Sequence, residues 1–474
     1  MKKLFLLSLI LLFAYNLEAS FSANNKLKIH FHSEVNSPLP LKIAYYYGSK
    51  VFLQDSITIA SSGRLAYTGD FHAGIYLLVF PNSDVYEFMV NKNNELSIRI
   101  SLENNDYCST IRGDSISVAF DIYHKKMDGI VNHLDSLKHS LSVAGSAEIR
   151  NKLIRNIDSV KDSIQLANEV LSLKYQGTFL GNYLKAQIPV SIPKLMFKSI
   201  SSDSLGLLTK LYFFKNHYLD QIEWNDQRLI YTPVMEDKIN DYFVKFVQKT
   251  PESNSAAIDT ILNKTNNQKV NRFLTEMLFD RFEQNKHKSL DEYAYLHLLK
   301  HYYLVGKTPW MNNDQISILE AEYNRFRPTS LGQTAPSIAL PDKDNELVNL
   351  NDIHSHYSLV FFWNYECQHC QRILQELVTL VSKYKYLDIK VLSVFTGEDL
   401  DVWKAFLAKK IPQTWVNTYE KGQEPKTSSI YNIPSLPSIY LLDTNKIILN
   451  KNATISELDS YFFEHAIDEA KSND

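Results

Sequence analysis

Two cysteines separated by two residues are the side chains in this sequence best suited to chemistry. Cys367 and Cys370 follow an almost continuous apolar run at 358–363, which is typical of a buried central strand. Apolar residues at helical spacing from Ile373 to Tyr384 predict that a helix begins at the cysteines. A thiol at a helix N-terminus ionises more easily, and the thiolate is the nucleophilic form. The pattern therefore predicts a dithiol that can close a small disulfide.

The two cysteines of this pair should have different roles. Cys367 would be exposed and would attack a substrate disulfide, whereas Cys370, one turn deeper, would resolve the mixed disulfide. His369 lies between them, and a protonated imidazole there would favour the thiolate and make the couple more oxidising. Glu366 would act in the opposite direction, because its negative charge disfavours a neighbouring thiolate.

The elements that must position this pair follow in the order strand, helix, strand, helix, strand, strand, helix. The run 389–395 predicts the second strand. The runs 438–442 and 447–449 predict a hairpin, and Thr454 with Glu457 has the spacing of a capping box for the last helix. Strands and helices that alternate in this way indicate an α/β domain.

This order, the motif FFWNYECQHC and Pro437 within LPSIYLLD together resemble the thioredoxin fold over residues 330–474. More closely, the region is similar to the exported TlpA/ResA-like thiol–disulfide oxidoreductases of bacterial envelopes. The resemblance implies that Pro437 is a cis proline facing the cysteines, which leaves the backbone of the preceding residue free to pair with a substrate. With His369, the expected catalytic set is then Cys367, Cys370, His369 and Pro437, and Cys367 and Cys370 form the redox-active disulfide.

The sequence departs from this family at two positions. Classical thioredoxins carry a buried aspartate where Phe361 stands, and ResA-like proteins often carry a glutamate where Ile373 stands. Glu376 lies one turn further along the predicted helix. A buried carboxylate would carry the proton of the resolving thiol. Without it, water or His369 are the candidates, and efficient turnover is in question.

Two regions of different character precede this domain. Residues 24–105 contain short runs in which apolar and polar residues alternate, separated by turn residues, and they predict a small β-sandwich. Residues 115–326 contain few glycines and prolines and carry apolar residues at helical spacing, which predicts one helical domain. The segment 327–342 holds three prolines and is interpreted as a linker. The predicted fold class is multidomain: a small β-sandwich, then an all-α region, then an α/β thioredoxin-like fold.

Several helices of the α region can be placed from the pattern. Apolar residues from Leu153 to Leu171 recur in steps of three and four, and similar stripes occupy 239–247, 270–282 and 290–303. The whole layout also resembles exported proteins in which a β-rich domain and a helical domain of unknown function precede a thioredoxin-like domain.

The amino terminus has the pattern of a secretory signal peptide at residues 1–19. Lys2 and Lys3 precede the apolar run from Leu4 to Phe13, which is too short to span a bilayer comfortably. After residue 23 there is no apolar run long enough for a transmembrane helix, so we expect none after signal cleavage. Export would place the protein in the periplasm, an oxidising compartment.

Composition excludes several functional classes. The 474 residues include 50 basic and 53 acidic side chains, and this near balance argues against a polybasic nucleic-acid binder. The hydrophobic share of 45% is enough for sizeable cores. Three cysteines cannot form a disulfide framework for a chain of this length.

These observations support an exported thiol–disulfide oxidoreductase that reduces envelope proteins. Its expected partners are protein dithiols and disulfides together with a membrane electron donor, without nucleic acid and without a cofactor. The alternative is a catalytically inactive thioredoxin-like adaptor in which the cysteine pair is a permanent disulfide. A third interpretation joins His354 and His356 to the two cysteines as zinc or copper ligands, but a predicted buried strand separates the two pairs, so no metal is expected.

Overall fold

A computed structural model describes residues 26–91, 95–192 and 204–472. The signal peptide predicted at residues 1–19 lies outside the described residues. The chain forms two compact units. Among the described residues, one unit comprises those up to Ser191 together with 218–238, and the other comprises residue 192 and those from 204 to 217 together with those from 239 onward.

The N-terminal region is β-rich, as predicted, and consists of two four-stranded sheets in the orders β4-β1-β7-β8 and β3-β2-β5-β6. Strands β1 and β7 are parallel, and the other neighbours are antiparallel. Alternate residues of both sheets, such as Ile29 and Leu78, enter one common core, which is the arrangement of a sandwich. The strands are β1 Lys26–Ser33, β2 Leu39–Tyr47, β3 Lys50–Ile59, β4 Arg64–Asp70, β5 Gly74–Val79, β6 Val85–Val90, β7 Leu96–Glu103 and β8 Asp106–Arg112.

The last of these strands lies beyond residue 105, where the sequence-based boundary was placed. Strand β8 pairs with β7 along its whole length, and only Ser109 and Ile111 of β8 are buried. A strand with so few apolar residues gives a weak alternation signal, although backbone pairing holds it in the sheet.

The helical region follows. Its helices are α1 Ser115–Ser142, α2 Ala147–Lys174, α3 Phe179–Gln187, α4 Ser204–His217, α5 Val234–Lys245, α6 Pro251–Leu262, α7 Gln268–Glu283, α8 Ser289–Leu298 and α9 Asn313–Phe326. The stripe from Leu153 to Leu171 lies within α2, and the other three predicted stripes fall on α5, α7 and α8. A π-helical turn at Leu299–Tyr303 continues α8.

The helical residues do not form one body, in contrast to the single helical domain expected from the sequence. Helix α1 packs against strands β6 and β8, and α2 and α3 continue that layer, so these helices belong to the unit that contains the β-rich region. Helices α6 to α9 belong to the unit that contains the C-terminal domain. Uniform helical periodicity carries no information about which neighbour a helix packs against.

The C-terminal domain has a five-stranded sheet in the order β13-β12-β11-β14-β15. Strand β11 is central, parallel to β12 and antiparallel to β14, and all seven of its residues are buried. The elements of the C-terminal domain are β9 Ala339–Pro341, β10 Leu347–Asn349, β11 Tyr357–Trp363, α10 Gln368–Lys383, β12 Ile389–Phe395, α11 Leu400–Lys410, β13 Val416–Tyr419, α12 Thr427–Ile430, β14 Ser438–Leu442, β15 Ile448–Asn450 and α13 Ile455–Ser472.

The two faces of β11 enter two different cores. Phe361 and Trp363 pack with residues of α10, α11 and α13, whereas Val360 and Phe362 pack with residues of the opposite face, including Tyr431. This follows from the two-residue period of a strand. Covering the sheet on both sides explains why 358–363 is apolar without alternation. The predicted capping box is confirmed, since Thr454 N–H donates to Glu457 and Glu457 N–H donates to the Thr454 hydroxyl.

A buried ion pair connects the helical region to the C-terminal domain within the second unit. Lys451, just after β15, donates to the Glu292 carboxylate of α8 at 2.5 Å, and both side chains are almost completely buried. Burial raises the pKa of Glu292 to about 7, although the charge of Lys451 opposes this shift. Beside the pair, the Ser289 hydroxyl donates to the Asn450 side chain at 2.6 Å and accepts from Lys451 N–H at 2.8 Å.

Removal of one partner of this ion pair should destabilise the protein strongly. We expect Glu292→Ala to lower the free energy of unfolding by about 3–5 kcal/mol, because it leaves a buried ammonium without a counter-charge. Glu292→Met combined with Lys451→Met should recover most of that loss, because it removes both desolvated charges. Urea denaturation followed by tryptophan fluorescence measures both effects. The exposed Glu320 of α9 provides the control, and Glu320→Ala should change stability by about 0.5 kcal/mol or less. An equal effect of the two alanine variants would contradict the prediction.

Candidate functional site

Helix α10 begins at the first cysteine of the pair. Cys367 is the N-cap residue with extended backbone angles, and its sulfur accepts a hydrogen bond from Cys370 N–H at 3.2 Å. The turn before it is fixed because Glu366 N–H donates to the Asn364 side chain at 3.0 Å. An N-cap sulfur that accepts a backbone N–H is placed where a thiolate is stabilised, since the free N–H groups of a helix point at it.

The two sulfurs have different environments. Cys370 is completely buried, whereas Cys367 is half-buried, and both are free thiols. Burial raises the pKa of Cys370 to about 12, and the hydrogen bond with Cys367 adds to the shift. Cys370 therefore stays a neutral thiol at physiological pH, while Cys367 can be reached from solvent. This is the asymmetry that an attacking and a resolving cysteine require.

The residues before β14 face the exposed sulfur. The Cys367 Sγ lies 3.9 Å from the carbonyl oxygen of Leu436, and the Leu436–Pro437 peptide bond is cis, as the resemblance implied. Leu436 was not singled out in the sequence, because its contact with Cys367 spans 69 positions and no local pattern signals it. The structure thus brings Cys367, Cys370 and the Leu436–Pro437 peptide together.

His369 is exposed on the first turn of α10. Its Nδ1 lies 3.0 Å from the Arg372 guanidinium, which can only donate in this contact. Glu376 lies on the same exposed helix face, with its carboxylate 3.9 Å from Arg372. Arg372 was not anticipated, although its i, i+3 spacing from His369 is visible in the sequence.

The two positions where related families carry a carboxylate are apolar in the structure as well. Phe361 is fully buried and stacks on Trp363 with ring centroids 6.1 Å apart. Ile373 packs against the same core. Phe361 is fully buried and Ile373 is partly buried, and neither side chain can accept the proton of Cys370.

The histidine pair considered as metal ligands lies far from the cysteines. His354 and His356 precede β11 and the cysteines follow it, so the two pairs lie near opposite ends of a seven-residue strand, roughly 20 Å apart. Within 26–91, 95–192 and 204–472, no three His, Cys, Asp or Glu side chains are grouped so that they could hold a metal ion.

Two parts of the chain match known families. Residues 331–451 match the AhpC/TSA family. Residues 186–327 match a domain of unknown function, DUF5106. The C-terminal domain of this protein is therefore thioredoxin-like, in agreement with its sheet and helix order, and the helical region before it carries a recognised domain without an assigned role.

Curated relatives match the same C-terminal segment. The thiol–disulfide oxidoreductase ResA of Geobacillus kaustophilus is 27% identical over 117 residues, which cover 24% of this chain and 65% of that protein, just under two thirds of its length. A ResA protein of Bacillus cereus is 22% identical over 134 residues, which cover 28% of this chain and 76% of that protein.

Solved structures also resemble the chain. A thioredoxin-like protein from Bacteroides caccae is 23% identical, with a TM-score of 0.46, and the match covers 58% of this chain and 98% of that one. The thioredoxin domain of a thiol–disulfide oxidoreductase from Bacteroides vulgatus is 24% identical, with a TM-score of 0.27, and covers 29% of this chain and 97% of that one.

The different burial of the two sulfurs predicts selective alkylation. In the native reduced protein at pH 7.5, we expect iodoacetamide to modify Cys367 at least about 100-fold faster than Cys370, because Cys370 is buried and remains protonated. Peptide mapping by mass spectrometry after timed quenching measures each rate. Cys108, an exposed thiol of β8, is an internal control for accessibility. The difference should disappear in concentrated urea. Alkylation of Cys370 as fast as Cys108 in the native state would contradict the assigned asymmetry.

Proposed function

We propose that this protein is an exported thiol–disulfide oxidoreductase that reduces disulfides of envelope proteins. The observation that supports this most directly is the pair of unlike sulfurs at the start of α10. Cys367 is accessible and accepts the Cys370 N–H, while Cys370 is buried one turn behind it. The similarity of residues in the C-terminal segment to ResA proteins supports the same reaction class.

The proposed reaction transfers two electrons in two exchange steps. The Cys367 thiolate attacks one sulfur of a substrate disulfide, a mixed disulfide forms, and the other substrate sulfur leaves and takes up a proton. Cys370 then loses its proton and attacks the Cys367 sulfur, which releases the second substrate thiol and closes the Cys367–Cys370 disulfide. The substrate disulfide is reduced and the protein dithiol is oxidised. A dithiol donor, proposed to be in the membrane, must supply two electrons for the next cycle.

The position of the Leu436 carbonyl supports a role in substrate docking. It lies 3.9 Å from the Cys367 sulfur, so an extended substrate segment that pairs with this backbone would hold its own sulfur beside Cys367. Within this proposal Pro437 shapes the docking segment, and His369 or water takes the proton that Cys370 releases. A neutral imidazole is a competent proton acceptor for this step.

The electrostatics of the pair favour a reductant over an oxidant. A strongly oxidising couple needs a reduced form in which the thiolate is heavily stabilised. Here the Cys367 sulfur accepts one backbone N–H, from Cys370. With little additional stabilisation of the thiolate, the disulfide form is favoured and the dithiol readily gives up its electrons.

Export to the periplasm is part of the proposal. It is supported by the signal pattern at residues 1–19, and the proposed substrates fit this location because structural disulfides are common in exported proteins. Across the described ranges, which begin at residue 26, the structure contains no helix with the length and apolar character needed to span a bilayer.

An inactive adaptor is the second candidate. Phe361 and Ile373 replace the carboxylates that would carry the Cys370 proton, and a pair without a proton route could serve as a fixed disulfide in a binding domain. The two candidates differ in whether the sulfurs exchange with substrates.

Cysteine variants of the full-length mature protein test the proposal. In an insulin reduction assay with dithiothreitol, we expect Cys367→Ser to abolish catalysis, because the attacking sulfur is lost. Cys370→Ser should accumulate mixed disulfides, which non-reducing electrophoresis detects, because the resolving sulfur is lost. Cys108→Ser is the matched control and should behave like the unmodified protein. If all three variants behave like the unmodified protein, the inactive adaptor is the better-supported candidate.

The reduction potential tests the direction of electron flow. Glutathione titration of the mature protein should give a value near or below roughly −230 mV for a reductant. A value of roughly −120 to −180 mV would instead indicate an oxidase or an isomerase. The absence of any reversible couple would support the adaptor.

A further inference from the structure

The loop that faces Cys367 is anchored at its start by the helical region. This docking loop comprises residues 431–437, between α12 and β14. At its second residue, Asn432 donates its side-chain amide to the Arg325 carbonyl at 2.9 Å and to the Thr329 hydroxyl at 3.2 Å. Arg325 belongs to α9, within the segment that matches the domain of unknown function.

The same loop is anchored where it enters β14. Ser438, the first residue of β14 and almost fully buried, donates its hydroxyl to the Asn452 Oδ1 at 2.6 Å. The Asn452 Nδ2 donates to the His287 carbonyl at 2.8 Å, and His287 also lies within the segment matched by the domain of unknown function. The Asn452 amide therefore links β14, the strand after the docking loop, to the helical region. Its oxygen accepts from Ser438 of β14, and its nitrogen donates to His287 of the helical region.

The segment around Asn452 is itself fixed on α8. Its neighbour Lys451 forms the buried ion pair with Glu292 and accepts the Ser289 hydroxyl at its carbonyl at 2.9 Å. On the other side, Ala453 N–H donates to the Ile439 carbonyl of β14 at 3.0 Å. Asn452 has a φ of +49°, a left-handed conformation that asparagine tolerates better than most residues. The segment thus cannot shift without breaking contacts with both α8 and β14.

We propose that Asn452 is a positioning residue, and that the helical region acts through it to hold the docking loop at the distance from Cys367 that substrate exchange requires. The inference rests on the proposed function, because it assigns the helical region a part in the same reaction. Leu436, whose carbonyl faces the Cys367 sulfur, is two residues before Ser438. Small displacements of a docking segment strongly reduce the rate of a reaction that needs aligned atoms, so loss of the bridge should weaken productive substrate binding.

Two substitutions at this position in the full-length mature protein test the inference. Asn452→Gly removes both hydrogen bonds without backbone strain, because glycine adopts positive φ readily. Asn452→Asp keeps an acceptor for Ser438 but places an oxygen in front of the His287 carbonyl. We expect both variants to raise the KM for insulin by at least about three- to tenfold, since each loses the hydrogen bond to the His287 carbonyl. The reduction potential and the Cys367 alkylation rate should stay unchanged, because neither needs a docked substrate.

The controls separate positioning from general damage. Asn349→Ala removes a partly exposed amide of β10 whose hydrogen bond, to Asp352 at 3.0 Å, is local, and should leave KM unchanged. Ser438→Ala removes the other end of the bridge and should raise KM as Asn452→Gly does. A normal KM in Asn452→Asp would limit the effect to the bond with Ser438 and overturn the role of the helical region.

The other possible results of these experiments also support or contradict the positioning role of Asn452. A shifted potential or alkylation rate in the Asn452 variants, together with lost thermal stability, would indicate general damage and overturn the positioning role. Normal insulin kinetics in both Asn452 variants, with an active wild type and an inactive Cys367→Ser, would contradict this inference and leave the proposed function standing. A wild type without any reversible couple would remove the proposed function and this inference together.

Discussion

Burial of one of two chemically identical sulfurs is the interaction on which the candidate site depends. Cys370 points into the core formed by β11, α10, α11 and α13, so its ionisation requires a charge in an apolar environment. Cys367, three residues earlier, caps the helix from outside. The helix geometry therefore differentiates the two thiols, because a shift of three residues moves a side chain from the helix end to the inner face of its first turn.

The second constraint is the sheet, which connects the cysteine pair to the Leu436–Pro437 peptide. Strand β11 leads into Cys367, and its antiparallel neighbour β14 begins just after Leu436 and Pro437. Since hydrogen-bonded neighbours in a sheet lie about 5 Å apart, the end of one strand and the start of the other are brought together. The helical region contacts this arrangement from behind, through Asn432, Asn452 and the Lys451–Glu292 pair.

The sequence allowed prediction of what depends on local pattern. The buried strand at 358–363, the helix beginning at the cysteines and the capping box at Thr454 each follow from periodicity or from spacing within one turn. The contacts of Asn452 with His287, 165 positions away, and of Cys367 with Leu436 depend on tertiary packing and have no local signature. The division of the helices between two units was missed for the same reason, because an apolar stripe does not specify its partner.

The apolar side chains at Phe361 and Ile373 provide no group that could take the proton of Cys370. That proton is hard to remove, because a thiol with a pKa of about 12 is ionised to only roughly one part in 100,000 at pH 7. Two contributions to that pKa, the hydrogen bond with Cys367 and the charge of its thiolate, exist only while Cys367 is free. Formation of the proposed mixed disulfide would convert Cys367 into a neutral, covalently bonded sulfur and would remove both. Desolvation, the largest contribution, remains. In the proposed reaction, the first exchange step would therefore make Cys370 easier to ionise at the point where it must become a nucleophile. In the absence of a carboxylate at these two positions, this coupling between the two sulfurs would favour ionisation of Cys370 only after the proposed first step.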